Sequence, residues 1–130
     1  MSGTQTISTD LSETDIEELL AHPSRRYLLY YLHRYANPVQ LADVAHQITI
    51  WKLNEPADEH LQERLQIYLA LYHDHLPPLA EADVVDYAQQ EDMIELGPTA
   101  EQLIPALERN FRDEVVDLLE AEHCTFDRSQ

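Results

Sequence analysis

The stretch that decides the fold is "LYHDHLPPLAEADVVDY", Leu71 to Tyr87, because the hydrophobic period changes inside it. Ahead of its prolines, Leu61, Leu65, Tyr68, Leu69, Tyr72 and Leu76 recur at the spacing of one helix face, which predicts a helix from Asp58 to about His75. After Pro77 and Pro78 the period falls to two. "VVDY" and "MIEL" read as short strands on either side of the polar turn "AQQED", so a β-hairpin follows the helix.

Upstream, three more helices are legible. Ser12 and Asp15 approximate a capping box, Leu11 and Ile16 stand at the spacing of a hydrophobic staple, and Ile16, Leu19 and Leu20 form the apolar face. After the break at "AHPS", Pro23 suits a first helical turn and Leu28, Leu29, Leu32 and Tyr35 recur at helical spacing, making this the most apolar and central helix. Asn37 precedes Pro38 and is biased away from helix, so "NPV" is an extended link. The next helix, "LADVAHQITIW", buries Leu41, Val44, Ala45, Ile48 and Trp51.

Downstream, helical spacing returns over residues 99–123 through Leu103, Leu107, Phe111, Val115, Leu118 and Leu119. Thr99 with Gln102 has the form of a capping box, and Pro105 either kinks the first turns or marks where the regular helix starts. Residues 1–10 and 124–130 lack periodicity and are expected to be disordered tails around a core domain at 11–98.

The chain has 130 residues, 44% of them apolar, enough for one core of ordinary size. Its charge is unusual: 25 acidic residues against seven Arg and one Lys, Lys52, give −17. Periodic apolar positions argue against a disordered acidic chain. The remaining reading is a surface adapted to concentrated salt, where a Debye length of roughly 3 Å at molar strength lets neighbouring carboxylates coexist. The composition points to a salt-loving archaeal source.

The longest apolar runs, "YLLYYL" and "IYLALY", are far too short to span a bilayer, and "MSGTQTISTD" lacks the basic and apolar regions of a signal peptide, so a cytoplasmic protein with no membrane contact is expected. The lone Cys124 excludes an internal disulfide. With only Gly3 and Gly97, the chain has neither a glycine-rich phosphate cradle nor a nucleophile elbow, and its carboxylates are spread over every segment; no catalysis and no cofactor are expected. Among seven histidines the best pair is His73 and His75, but residues two apart point about 200° from one another on a helix. No HExxH or cysteine-bearing spacing exists, and no metal site is expected.

The element order resembles that of a winged helix-turn-helix domain. "LLAHPSRRYLLYYL" is similar to the opening helix of small winged-helix regulators, "VQLADVAHQI" to the helix before a recognition helix, and "HLPPLAEADVVDY" to the exit into a wing. The likeness covers about residues 12–96 and is to small winged-helix domains of salt-loving archaea, regulator-like and mostly uncharacterised. It implies a mostly α fold with a small β-hairpin, a winged helix-turn-helix core plus a long C-terminal helix. Where the pattern has Gly this chain has Asp83, which tolerates a left-handed backbone.

That resemblance implies a DNA-binding transcriptional regulator whose fourth helix enters the major groove of double-stranded DNA. Its polar side offers His60, Gln62, Arg64 and Gln66, with Gln suited to adenine and Arg to guanine. Such regulators often dimerise through a terminal helix, which here assigns a homodimer contact to Ile104, Leu107, Phe111, Val115 and Leu118; the alternative is that this face packs back on the first helix of its own chain. The departures touch function: Pro78 stands where a cation is common, and Glu81, Asp83, Asp86, Glu91, Asp92 and Glu95 fill the wing region without a basic residue. Phosphate would repel such a wing. The alternative is therefore a winged-helix protein-interaction module that does not bind DNA. Arg25 and Arg26 are expected to pair with Asp15, Glu17 or Glu18 of the neighbouring helix.

Overall fold

The computed structural model describes residues 10–55 and 57–112. Helix α1 (Glu13–Leu19) begins at a formed capping box: the Ser12 side chain accepts from the Asp15 N–H, and Asp15 accepts in return from the Ser12 N–H. Helix α2 (Pro23–Arg34) starts on Pro23, where a missing N–H removes no helical bond. It runs through the centre with Leu28, Leu29, Tyr30 and Leu32 buried. Tyr35 is not part of that face; it caps the helix C-terminus and is 54% exposed, its ring turned to Tyr31 and Trp51.

The extended link after α2 is a short strand, β1 (Val39–Gln40), which leads straight into α3 (Leu41–Leu53). All five residues expected to be buried on α3, Leu41, Val44, Ala45, Ile48 and Trp51, are buried. A single 3₁₀ turn (Ala57–Glu59) leads to α4 (Leu61–Ala70).

The expected helix from Asp58 to His75 and its boundary at the prolines both need correction. The chain widens into a π turn over Leu71–His75 and then resumes as α5 (Leu76–Glu81), with Pro77 and Pro78 inside the first turn. The cause is local: neither proline can donate to a carbonyl four residues back, and the Leu76 N–H bonds the Leu71 carbonyl, five residues back. The register is thereby reset and the prolines occupy positions where no N–H is needed.

The corner after α5 uses Asp83 at φ 60°, the left-handed conformation anticipated for it. Gly97 packs directly against this corner. A Cβ there would lie 2.4 Å from the Asp83 carbonyl oxygen, while the Gly97 N–H donates to Val84 and the Thr99 N–H to Asp83. Strands β2 (Val85–Ala88) and β3 (Met93–Leu96) form the expected hairpin, with Val84 in the corner. β1 joins on the other side of β3, giving a three-stranded antiparallel sheet of order β1-β3-β2 in which both Val39 and Tyr87 pair with Ile94. The two-residue β1 was too short to carry a sequence pattern.

Residues 100–112 form α6, continuous through Pro105. Thr99 Oγ1 donates to the Ala82 carbonyl and Gln102 Oε1 accepts from the Leu11 N–H, so both side chains tie this helix to distant elements. One apolar cluster joins α1, α2, α3, the sheet and α6. The molecule is thus mostly helical with a small antiparallel sheet. The expected tails over 1–9 and 124–130, and the C-terminal helix beyond 112, lie outside the described residues. No helix among the described residues is long and apolar enough to cross a membrane.

Candidate interaction surface

Helix α4 buries no residue of its own. Its inward side is made by half-buried Arg64, Ile67 and Tyr68. The expected apolar stripe splits here: Leu76 is buried and Tyr68 and Tyr72 are half-buried, whereas Leu61, Leu65 and Leu69 are 57%, 56% and 42% exposed. Spacing of four residues places these three leucines in one row, flanked by exposed Gln62 and Gln66. Beside the row a groove of about 370 Å³ opens between α3 and α4, walled by Ala42, Asp43, Ala45 and His46.

Of the four residues assigned to DNA, Gln62 and Gln66 face outward. The other two are turned to neighbouring side chains. Arg64 Nη1 lies 3.4 Å from His46 Nδ1. His60 is hydrogen-bonded to Glu55, with Glu63 3.7 Å from its other ring nitrogen. The bond to Glu55, and the charges of Glu55, Glu63 and Glu59, hold the His60 pKa above its ordinary value. Ligand atoms of Glu55, Glu59 and His60 lie within 4.8 Å of one another, a geometry that could hold a cation at the surface. His73 and His75 part as expected: His73 is exposed, and His75 is buried with its Nδ1 accepting from Arg25 Nε at 3.2 Å. Burial first, then the nearby Arg25 and His22, lower the His75 pKa.

The hairpin turn is built differently from a solvated acidic loop. Asp92, at φ 55°, has its side chain directed inward. Its Oδ1 accepts from Tyr68 and Tyr87 hydroxyls at 2.9 and 2.5 Å, its Oδ2 from the Ala42 N–H at 3.2 Å, and its carbonyl from the Leu41 N–H at 2.8 Å. One carboxylate therefore caps α3 across 50 residues and ties α4 to the hairpin. Burial and these hydrogen bonds push both tyrosine pKa values up, Tyr87 the more. Tyr72 extends the seam, stacking on Tyr68 and meeting Tyr87 edge-on. The count of six repelling carboxylates is corrected by one: Asp92 is structural, while Glu81, Asp83, Asp86, Glu91 and Glu95 are exposed.

The contact assigned to a homodimer turns inward over its described part. Leu107 is 3% exposed in the core, and the Phe111 ring meets Tyr30 edge-on with the Arg34 guanidinium 4.0 Å above it. Glu108 binds His33 and Arg34, each at 2.8 Å. Ile104 is half-buried; Val115 and Leu118 lie outside the described residues. Arg25 and Arg26, expected to pair with carboxylates of α1, donate to the carbonyls of Glu18 and Leu20 at its C-terminal end.

Neither the outward leucines nor the Asp92 tether was found from the sequence. Both depend on which side of α4 packs inward, and periodicity is blind to that. Residues 17–95, more than half of the chain, match the family model described as "Domain of unknown function (DUF7344)". The chain belongs to this family. The DUF7344 match contains α4, the Asp92 tether and most of the sheet, and ends before α6. No curated protein and no solved structure matches.

Proposed function

We propose that this chain is a winged helix-turn-helix module, adapted to concentrated salt, that works by docking protein through α4 instead of reading DNA. The order α2-β1-α3-α4-α5-β2-β3 and the sheet order β1-β3-β2 support a winged arrangement, with α3 and α4 as the helix-turn-helix pair and β2–β3 as the wing.

The observation that carries the reading is the outward row Leu61, Leu65 and Leu69 on the helix that would enter the major groove. That groove presents hydrogen-bonding base edges, with thymine methyl groups as its apolar feature, so three leucines would dehydrate polar groups without replacing their bonds. Phosphate attraction is also missing. Arg64 is the single cation of α4 and stands beside His46, while residues 81–96 contain none. Counterion release, the main source of non-specific affinity, needs cations at the contact.

A second reading, a DNA-binding regulator, draws on Gln62 and Gln66, both exposed and one turn apart, as two amides could read adenines in succession. Selection of genomic DNA fragments with the purified chain in molar KCl separates the two. The docking reading expects no enriched motif. An enriched motif that disappears when Gln62→Ala and Gln66→Ala are combined overturns it in favour of the regulator.

A further inference from the structure

We propose that the partner docking on α4 is a second copy of this chain, with the two α4 helices crossing about a twofold axis at Leu65. This rests on the docking reading and names its occupant. The argument is one of charge. A quarter of all residues are charged and the net charge is −17, yet the exposed face made by Leu61, Gln62, Leu65, Gln66 and Leu69 carries no charge.

A symmetric contact sets each patch against itself. An acidic face would therefore bury carboxylates against carboxylates, a cost that salt screens little once water is excluded, and the neutral leucine–glutamine face would not. A cationic partner would find no carboxylate on these five positions to recognise. Glutamine is both donor and acceptor, so Gln62 and Gln66 can bond to amides of the same kind across the axis. The geometry agrees: residues four apart form one ridge, and two such ridges interdigitate in the commonest mode of helix packing. The groove between α3 and α4 lies beside the ridge, with Ala42, Ala45 and Tyr68 as its apolar wall and Asp43, His46 and Arg64 as its polar one, and gives a side chain of the other copy a place to enter.

Sedimentation of the full chain over a range of concentrations in molar KCl tests the assignment, with labelled duplex DNA in parallel samples. The wild-type chain is expected to dimerise. Leu65→Gln, a change at an exposed helical position, is expected to raise the dimer dissociation constant about a hundredfold, since two leucines leave the contact, with an unchanged circular dichroism spectrum. In a Cys124→Ser background, Leu65→Cys is expected to cross-link to its own counterpart under oxidant. A wild-type monomer at the highest concentrations that ignores DNA overturns the second-copy assignment alone. So does a dimer whose dissociation constant Leu65→Gln leaves unchanged. A chain that binds DNA sequence-specifically and loses this with Leu65→Gln overturns the docking reading itself.

Discussion

Helices α4 and α6 carry the same pattern and meet opposite fates. Leu61, Leu65 and Leu69 recur every four residues, as do Leu103, Leu107 and Phe111. The second set packs against α2, where Tyr30 meets Phe111 and Glu108 binds His33 and Arg34. The first set faces outward because α4 is already held from its other side, by Tyr68 on Asp92 and by Arg64 beside His46. A stripe of leucines thus defines one face of a helix, and the surrounding chain decides whether that face is covered from within.

The largest expected effect separates these two stripes. Leu107→Ala removes a side chain from the core and is expected to cost about 3 kcal/mol, the usual range for a buried leucine that leaves a cavity. Leu65→Ala, compared at protein concentrations low enough to keep the chain monomeric, is expected to change stability by less than about 0.5 kcal/mol. Urea unfolding at fixed KCl measures both. Equal losses would mean that α4 turns its leucines inward and would break the contrast.

Asp92 sharpens the account of why α4 faces as it does. Asp92→Ala strands two tyrosine hydroxyls and the Ala42 N–H in the first turn of α3, and its left-handed backbone suits Asp or Asn better than Ala. A loss of about 2 kcal/mol is expected, with Asp92→Asn costing less because an amide oxygen still accepts. Hydrogen exchange should show α3 and the hairpin loosening together. Protection lost in only one of them would mean that the tether is not shared.

What the sequence made legible was local or periodic. Ser12 and Asp15 are three residues apart, Asp83 announces its own backbone conformation, and the α3 core positions follow one period. What it hid was nonlocal or too short to carry a period. Asp92 bonds an N–H 50 residues away, β1 is two residues long, and the π turn follows from prolines that lie after it in the chain. In the candidate site, Gln62 and Gln66 were legible as polar surface, while the inward turn of Arg64 and the outward turn of three leucines required the packing of α4 against α3.

A smaller effect comes from the π turn, which buries His75 against α2. His75 has a lowered pKa in the folded chain, from burial first and from Arg25 and His22 next, with Lys52 adding to this and Asp74 opposing it. The unfolded chain therefore binds the proton more readily. The His75 contribution is fully present above the ordinary value near 6.5 and is lost as pH falls below it, at no more than about 1.4 kcal/mol per pH unit. His75→Gln should flatten that part of the stability–pH curve. A curve unchanged by the substitution would show that the ring is equally solvated in both states.

The smallest expected effect lies on the α6 side of the comparison, at Glu108. Its hydrogen bond to His33, then that to Arg34 and the Arg34 charge, hold its pKa below the ordinary 4.5. A depressed carboxylate contributes stability that is present above its unfolded pKa and is lost as pH falls through the folded one. Concentrated salt weakens such a surface pair, and Phe111 stays in contact with Tyr30 and Arg34 without it. Glu108→Gln is therefore expected to leave the melting temperature nearly unchanged in molar KCl at neutral pH. Its effect should emerge at low salt as a shallower loss of stability below about pH 4.5 than in the wild-type chain. A large loss at high salt would mean that α6 is held to α2 by charge, and that the inward fate of its stripe is not decided by Leu103, Leu107 and Phe111.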